Sequence, residues 1–477
     1  MRPGKSKWWI ASALFIAGLA CYWSTHTRYA YLWDSVEFVE AIRNFNVGLS
    51  QPHPPGYFLY VMLGRAVNLV VGDPHVSLVG ISVVAGAGLT AVVFCLGERL
   101  AGRAAGVAAG LVTLTSPLVW FFSSVALTYV VDALLVCGFV WACYEAARRG
   151  GSGWVAMGLG IWLGVIGGVR QQSFFGLVPV VGYALWQFRP PRWTKFLVAA
   201  LAAVVVSVVW ISTMLDETGG WEVYRAALRQ ITQFHAHKTL AGGGWSALRW
   251  NIFFAGLYCC NALLLAALAV PVGLQVVKGR WLLWWALPVF LLAVGVGYTE
   301  APGHIFTYLP VLLILAGAGL ARIGKWAVTV ACLVNVLVFL AWPPAWSGVM
   351  WGTLPRRQVL VEHDRLVADT VALIRSRYNP SDTIILHEHG DLYFGLRHFQ
   401  LYLPEFANYR IDPDLAMVPP PGKPLVCARG EDLIFVSEIP KTGWRYAIHV
   451  RPPGSRVDGT ELPVVAGSNG VLLEQAR

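Results

Sequence analysis

Long apolar stretches separated by short polar connections run from the N-terminus to about Leu340. Each stretch is long enough, as an α-helix, to cross most or all of the hydrocarbon core of a bilayer. The pattern predicts a polytopic α-helical membrane protein with about eleven transmembrane helices. The predicted spans are Trp8–Trp23, Val76–Leu96, Ala104–Phe122, Val125–Ala146, Trp154–Val169, Phe174–Phe188, Phe196–Leu215, Ile252–Val277, Trp281–Tyr298, His304–Leu320 and Trp326–Ala341.

Basic residues mark alternate connections between these spans, on the side of the basic N-terminus. They are Arg99 and Arg103, Arg148 and Arg149, Arg189, Arg192 and Lys195, Lys278 and Arg280, and Arg322 and Lys325. Because positive charge favours the cytoplasmic side, we predict a cytoplasmic N-terminus and, with an odd number of spans, an extracytoplasmic C-terminal tail. A cleaved signal peptide would also begin with basic residues, but no small-residue cleavage site stands out after Ala20.

One apolar stretch, Tyr57–Val71, is not counted as a span. Arg65 and Asn68 interrupt it, and counting it would invert every later loop and break the charge pattern. We therefore predict that it is a helix lying in the membrane interface, within a first outer loop at residues 24–75. Earlier in the same loop, apolar residues recur at spacings of three and four, which predicts a second, amphipathic interfacial helix with its acids on an exposed side.

The composition supports this class of protein. Hydrophobic residues make up 56% of the 477 residues and charged residues 13%, whereas about a quarter of a typical soluble domain is charged. The net charge of +10 does not indicate nucleic-acid binding, because the basic residues lie between apolar runs. Seven of the eight cysteines lie in or beside predicted spans, with no disulfide framework or zinc-ligand spacing.

After Pro344 the composition becomes that of an ordinary soluble domain. The predicted elements are helices at Val359–Tyr378 and Leu392–Leu403 and strands at Thr383–Leu386, Leu425–Ala428, Leu433–Val436 and Tyr446–Val450. We therefore predict two domains, a transmembrane module at residues 1–344 and a small extracytoplasmic α/β domain at residues 345–477.

The first outer loop carries the most distinctive chemistry. Asp34 and Glu37 lie one helical turn apart, so their carboxylates are neighbours. Acids near a helix start can also simply cap its amides and complement its dipole, and composition alone favours that alternative. The turn His53-Pro54-Pro55-Gly56 follows, where a histidine is ordinarily a solvated side chain.

Taken together, Asp34, Glu37 and Phe38 followed by His53-Pro54-Pro55-Gly56-Tyr57, all after one span, resemble the GT-C membrane glycosyltransferases. The resemblance is to the branch related to protein O-mannosyltransferases and aminoarabinose transferases of lipid A. Two weaker patches agree, Gly390–Leu396 with Arg410–Asp412 and His304–Pro310. The sequence departs from the family in two ways. Its acids are not adjacent as in the mannosyltransferases, and the usual arginine of the late-span motif is absent, with His304 nearby.

The resemblance implies an inverting hexosyl- or pentosyltransferase with a GT-C-like fold. Its donor would be a sugar on a polyprenyl phosphate, and its acceptor a hydroxyl of a protein, lipid or glycan, at the outer face of a bacterial inner membrane. By their places in the motif, Asp34 is the expected catalytic base, and Glu37 would orient it or help to hold a metal ion. No cofactor is certain, and a divalent metal ion remains an alternative.

The leaving phosphate needs positive charge or amide donors. The candidates are Arg170, His53, Arg65 and, near the place of the missing arginine, His304. The alternative for Arg170 is that its side chain only extends from the end of a span towards water, without binding a phosphate. Two histidine-rich segments, His235–His237 and His387–His389, could bind a metal ion. For the first segment the favoured alternative is an ordinary solvated loop. For the second it is a domain that covers the catalytic loops or recognises the acceptor.

A transporter or flippase of lipid-linked saccharides is the alternative function. A transporter would show inverted repeats and broken spans with buried charges. The sequence has no clear repeat, and Asp132 is the one acid placed well inside a predicted span. A flippase would need a polar path through the spans, which the sequence does not indicate.

Overall fold

The computed structural model of the chain describes residues 5–277, 279–341, 355–387, 393–411, 434–436, 444–451, 460–461 and 471–476. The chain is mostly helical, and several of its helices are apolar, as predicted. The described α-helices are α1 (Lys5–Trp23), α2 (Trp33–Arg43), α3 (Phe58–Val71), α4 (Pro74–Ala101), α5 (Arg103–Thr115), α6 (Pro117–Ser123), α7 (Tyr129–Arg149), α8 (Gly153–Val169), α9 (Gln171–Trp186), α10 (Arg192–Thr218), α11 (Trp221–His235), α12 (Leu240–Leu263), α13 (Val270–Val276), α14 (Trp281–Gly295), α15 (Leu309–Ile323), α16 (Lys325–Ala341), α17 (Arg357–Arg377) and α18 (Leu396–Tyr402).

Short 3₁₀ helices lie at Val47–Leu49, Ala236–Lys238, Leu264–Ala269 and Pro302–His304. The strands are β1 (Thr383–His387), β2 (Ala407–Ile411), β3 (Ile434–Val436), β4 (Tyr446–Arg451), β5 (Thr460–Glu461) and β6 (Val471–Ala476). The predicted strand Leu425–Ala428, residues Glu388–Asp391 of the histidine-rich tail segment, Asp412, and the boundary at 344/345 lie outside the described residues.

The chain divides into two units. The first comprises Met1–His26 and Ala41–Gln358, and the second comprises Thr27–Glu40 and Val359–Arg477. The second unit therefore combines the tail with an early part of the predicted outer loop, which includes most of α2. Periodicity along the chain carries no signal for such a discontinuous unit, because it reports only local structure.

Most helices of the first unit match the predicted spans in position and length, but the predicted span Ala104–Phe122 is broken into α5 and α6. Among the described residues, four helices are long and apolar enough to cross a membrane, or five if the bent pair α5 and α6 is one span. The bend of 58° falls where the sequence predicts one span. Pro117 has no amide hydrogen to continue the helix, and the Ser116 hydroxyl accepts from Val119 N instead. The count of eleven spans stays a prediction.

Small residues let the helices of the first unit approach closely. A Cβ on Gly106 of α5 would lie 2.6 Å from Glu98 N and 2.7 Å from Phe94 O on α4. A Cβ on Gly160 of α8 would lie 2.1 Å from Ala199 O on α10. Helices in lipid associate through such close backbone packing, because burial of apolar surface supplies little driving force there.

The second unit is built on a six-stranded sheet in the order β3-β2-β1-β4-β6-β5. The pairs β3–β2, β2–β1 and β1–β4 are parallel, whereas β6 is antiparallel to β4 and β5. Successive side chains of β1 point to opposite faces. Ile385 packs in a core with residues of α17 and α18, and Ile384 and Leu386 pack on the other face. The small C-terminal sheet region predicted from the sequence is confirmed.

Candidate active site

The two acids lie at the start of α2, within the second unit. Their carboxylate oxygens are within 4.8 Å of one another. Trp33 Nε1 donates a hydrogen bond of 2.6 Å to Glu37 Oε1, which orients the Glu37 side chain. Glu37 is buried, while Asp34 is half-buried. Two carboxylates this close can share a proton or offer oxygen ligands to one divalent cation.

The acidic side of α2 is largely buried, whereas the sequence predicts that it is exposed. Glu37 and Glu40 are both buried, as are the apolar residues Phe38 and Ile42 on the predicted lipid-facing stripe. Buried carboxylates need partners, and Trp33 and Arg397 supply them within the second unit. The sequence therefore predicts the helix and its acids but not the protein cover on the acidic side.

The turn at His53 is held firmly within the first unit. Gly56 N donates to His53 O at 3.1 Å, and Pro55 O accepts from Gln171 Nε2 at 3.2 Å and from the Tyr224 hydroxyl at 3.4 Å. Gly56 has a φ of +108°, and a Cβ there would lie 2.7 Å from Met214 Sδ. Only glycine suits this position. The half-buried His53 side chain thus projects from a fixed turn.

Arg170 lies between α8 and α9 and is 4% exposed, so it does not extend into solvent. Its Nη1 donates to Gly303 O at 2.9 Å, and its Nε donates to Gln172 Oε1 at 3.2 Å. The guanidinium lies 5.3 Å from the centre of the Tyr129 ring. Within the described part of the chain, no hydrogen-bond partner contacts its Nη2 group.

Asp132, at the start of α7, interacts electrostatically with Arg170, although no ion pair or hydrogen bond joins the two side chains in the described structure. Its Oδ2 accepts hydrogen bonds from Ser173 Oγ at 2.8 Å and Thr307 Oγ1 at 2.9 Å. This fully buried carboxylate therefore links α7, α9 and the segment before α15. The sequence indicates Asp132 as an acid inside a predicted span, but it does not indicate these contacts.

His304 and His235 are brought together through Tyr298. The His304 and Tyr298 rings are 5.3 Å apart, and the His235 ring stacks on Tyr298 at 4.2 Å. Burial, then Lys238, lowers the pKa of His235 from 6.5 to about 4. The His235 imidazole is therefore neutral at neutral pH and can offer hydrogen bonds but no positive charge.

Arg65 is engaged with other groups of the first unit. Its Nη1 lies 2.9 Å and 3.1 Å from the two carboxylate oxygens of Glu217. Its Nε and Nη2 donate to the carbonyls of Ile42 and Ala41 at 3.1 Å and 3.3 Å. Arg65 thus neutralises Glu217 and satisfies carbonyls at the end of α2, which leaves it little capacity for a phosphate.

We expect the neutral His235 to make the fold sensitive to acid. An unfolded histidine takes up a proton as the pH falls below 6.5, whereas His235 stays neutral down to about pH 4. Proton uptake therefore favours the unfolded state, and stability falls as the pH is lowered through this window. The melting temperature of the purified protein should drop between neutral pH and mildly acidic pH, and less steeply for His235→Gln. Equal slopes for the two proteins would contradict this prediction.

Comparison with known proteins supports the predicted resemblance. Residues 52–215 match the family model of dolichyl-phosphate-mannose-protein mannosyltransferases. The fold is similar to a crystal structure of ArnT from Cupriavidus metallidurans bound to undecaprenyl phosphate, with 15% identity, 97% of each chain covered and a TM-score of 0.57. The apo structure of the same protein matches with 14% identity, 97% of each chain covered and a TM-score of 0.57.

The oligosaccharyltransferase of Archaeoglobus fulgidus in complex with Zn and sulfate gives a TM-score of 0.45 at 12% identity, covering 84% of this chain and 62% of that one. No curated protein sequence matches. The resemblance to the GT-C glycosyltransferases is therefore confirmed, by the family model over about a third of the chain and by the ArnT-like fold over its length. Together these matches show a likeness to membrane glycosyltransferases, over residues 52–215 for the family model and in the fold for ArnT, and the apolar helices agree with a multi-pass membrane protein.

Proposed function

We propose that the protein transfers one sugar from a polyprenyl-phosphate donor to a hydroxyl acceptor at the outer face of the inner membrane, with inversion. The observation that carries the proposal is the Asp34 and Glu37 carboxylate pair at the start of α2, directly after the first apolar helix. The similar ArnT structure was solved with undecaprenyl phosphate bound, which supports this class of lipid.

In the proposed reaction, Asp34 accepts the proton of the acceptor hydroxyl as its oxygen attacks the anomeric carbon. The new glycosidic C–O bond forms while the bond from that carbon to the phosphate oxygen breaks. The electron pair leaves with the polyprenyl phosphate, and the proton remains on Asp34 until it passes to solvent or product. A single displacement of this kind inverts the configuration.

The leaving phosphate is assigned to Arg170. Its fork geometry matches phosphate oxygens, and its Nη2 has no protein partner among the described residues. His304 is buried, and its imidazole can donate a hydrogen bond to a phosphate. Arg65 is already paired with Glu217. His53, fixed in its turn, is the second candidate for the phosphate.

Glu37 has a narrower role in this proposal. Its hydrogen bond to Trp33 suits a side chain that orients Asp34, and the two carboxylates together offer ligands to a divalent cation. We expect Glu37→Gln to lose less transfer than Asp34→Asn, because glutamine keeps an oxygen for the Trp33 indole. Transfer is measured with and without added Mg²⁺ or Mn²⁺. Partial rescue of the variant by added ion would identify Glu37 as a metal ligand, and unchanged rates would assign it to orientation.

The experiment that tests the function is sugar transfer by the purified protein in detergent. Polyprenyl-phosphate-linked mannose, glucose, galactose and aminoarabinose are supplied as donors, with membrane lipids and glycans of the host as acceptors. The buried side chains of Asp132 and Arg170 favour a transporter or flippase as the second candidate, since buried ionisable groups often mark transport paths. A transferase works in detergent, whereas a flippase has activity only across a closed membrane.

The proposed topology predicts which serines are accessible from outside. In a cysteine-free background, single cysteines at Ser50 and Ser376 should react with an impermeant maleimide on intact cells, because both lie in predicted outer segments. A cysteine at Ser152, beside the basic pair Arg148 and Arg149, should react only after permeabilisation. Labelling of the Ser152 variant on intact cells would overturn the arrangement.

A further inference from the structure

The chain just before α2 is bound by side chains of the tail, all within the second unit. The backbone amides of Arg28 and Tyr29 donate to the two carboxylate oxygens of Asp364 on α17, at 2.9 Å and 3.1 Å. The amide of Ala30 donates to the Tyr402 hydroxyl on α18 at 2.7 Å. Three consecutive backbone amides are therefore fixed by side chains more than 330 residues away.

His398 of α18 contacts the same segment through the carbonyl of Ala30. Its Nδ1 accepts a hydrogen bond from Gly395 N at 3.3 Å, so its Nε2 carries the proton and donates to Ala30 O at 3.1 Å. The side chain is fully buried. Burial, then the nearby His363, holds the pKa of His398 well below 6.5, so this neutral tautomer persists at neutral pH.

A second contact lies on α2 itself, beyond the acids. Arg397 Nη1 pairs with Glu40 Oε2 at 3.4 Å, and the two side chains are only 2% and 8% exposed. Removing two charges from water is unfavourable, and their mutual attraction offsets this only while the pair is intact. A buried pair of this kind adds little stability compared with apolar residues, but it strongly favours one orientation of the groups that carry it.

Asp34 and Glu37 lie between these two attachments. Residues 28–30 are fixed shortly before the helix and Glu40 near its end, and α2 runs without a break from Trp33 to Arg43, so it carries both acids and Glu40. A helix transmits its rotation and translation from one turn to the next, because each residue is tied to the turn before it. The two attachments therefore set the direction in which the two carboxylates point.

We propose that Asp364, Arg397, His398 and Tyr402, here called the clamp, are positioning residues that hold Asp34 and Glu37 in their reactive orientation. This inference rests on the proposed catalytic role of Asp34. The tail domain would then act on the reaction itself, through the placement of the base, in addition to any role in covering the site or binding an acceptor.

The test uses full-length protein with Arg397→Gln and Asp364→Ala as clamp variants. Glu405→Gln is the control, because Glu405 pairs with Arg375 at the surface of the same unit, and in the described structure no hydrogen bond or ion pair joins Glu405 to residues 27–40. Two measurements are made on each. Hydrogen exchange gives the exchange rates of the backbone amides of residues 28–40. Steady-state transfer, with the donor that the wild-type protein uses, gives kcat and KM.

We expect faster exchange at residues 28–40 in both clamp variants and unchanged exchange in the control. Misplacement of a catalytic group by about 1 Å can cost about a hundredfold, so kcat should fall by about 10- to 100-fold while the donor KM changes by less than about threefold. Arg397→Lys, which keeps the positive charge, should recover part of the lost kcat. Binding of undecaprenyl phosphate should be unchanged in all variants.

Two results would overturn the clamp. One is normal exchange at residues 28–40 in Arg397→Gln and Asp364→Ala. The other is faster exchange with the same kcat per folded molecule as Glu405→Gln. Failure of the proposed function is separately visible, because it appears as normal transfer by Asp34→Asn, whereas the exchange measurement does not depend on what Asp34 does. If Arg397→Gln does not fold, Asp364→Ala tests the clamp by itself, because it removes the two hydrogen bonds to the amides of Arg28 and Tyr29 without breaking the buried Arg397–Glu40 pair.

Discussion

Asp34→Asn is expected to reduce sugar transfer by about a hundred- to ten-thousand-fold, the usual contribution of a positioned general base. This corresponds to about 3–5 kcal/mol in the barrier. Asparagine keeps the shape of the side chain and can still form hydrogen bonds, but it cannot take the proton of the acceptor hydroxyl. Binding of undecaprenyl phosphate should persist, because the phosphate is assigned to Arg170 in the first unit.

Capping of α2 is the alternative role for Asp34, and it predicts a different outcome. Loss of a cap costs about 1 kcal/mol of stability and leaves the rate per folded molecule intact. Asp73 provides a matched control, because its side chain accepts from Val76 N at 2.9 Å at the start of α4. Asp73→Ala should lower the melting temperature without changing transfer. If Asp34→Asn behaves like Asp73→Ala, the catalytic assignment is wrong.

Arg170→Lys is expected to fold and yet to lose transfer by about a hundred- to thousandfold, as when one donor to a developing anion is removed. Lysine keeps a positive charge for Asp132, but it presents one ammonium group in place of the planar fork. Arg170→Met would be a poor test. It would remove the hydrogen bonds to Gly303 O and Gln172 Oε1 together with the positive charge near Asp132, so a folding defect would be hard to separate from lost phosphate binding.

The measurement for Arg170→Lys is transfer together with binding of undecaprenyl phosphate. The variant should bind this lipid more weakly than wild type, whereas the exposed Arg148→Lys should match wild type in both assays. Wild-type turnover by Arg170→Lys would move the phosphate assignment to His53. Loss of transfer with unchanged lipid binding would instead show that Arg170 stabilises the leaving phosphate only in the transition state.

Local patterns along the chain predicted much of the secondary structure. Apolar periodicity predicted a helix at Tyr57–Val71, and α3 spans Phe58–Val71. Strands at Thr383–Leu386 and Tyr446–Val450 correspond to β1 and β4. Periodicity did not predict the break between α5 and α6, because one proline in a long apolar run changes its average hydropathy very little.

The candidate site was harder to predict, because its residues meet only in three dimensions. The Asp34 and Glu37 pair is local, so its spacing was visible in the sequence. The contact of Arg170 with Gly303 joins residues 133 positions apart, and that of Arg397 with Glu40 joins residues 357 apart. Without aligned relatives, no pattern along one chain indicates such pairs, and the burial of Glu40 was missed for this reason.

The hydrogen bonds between Arg28 and Asp364 have a consequence for biosynthesis. These partners are separated by 336 residues, so Arg28 leaves the ribosome long before Asp364 has been made. At a translation rate of about 5–20 residues per second, the delay is on the order of half a minute. During that time the start of α2 has none of its contacts with α17 and α18, and a nascent chain that already contains every apolar helix still lacks an ordered acid pair. A chain that ended before α17 would therefore lack the hydrogen bonds that hold residues 28–30 in the described structure.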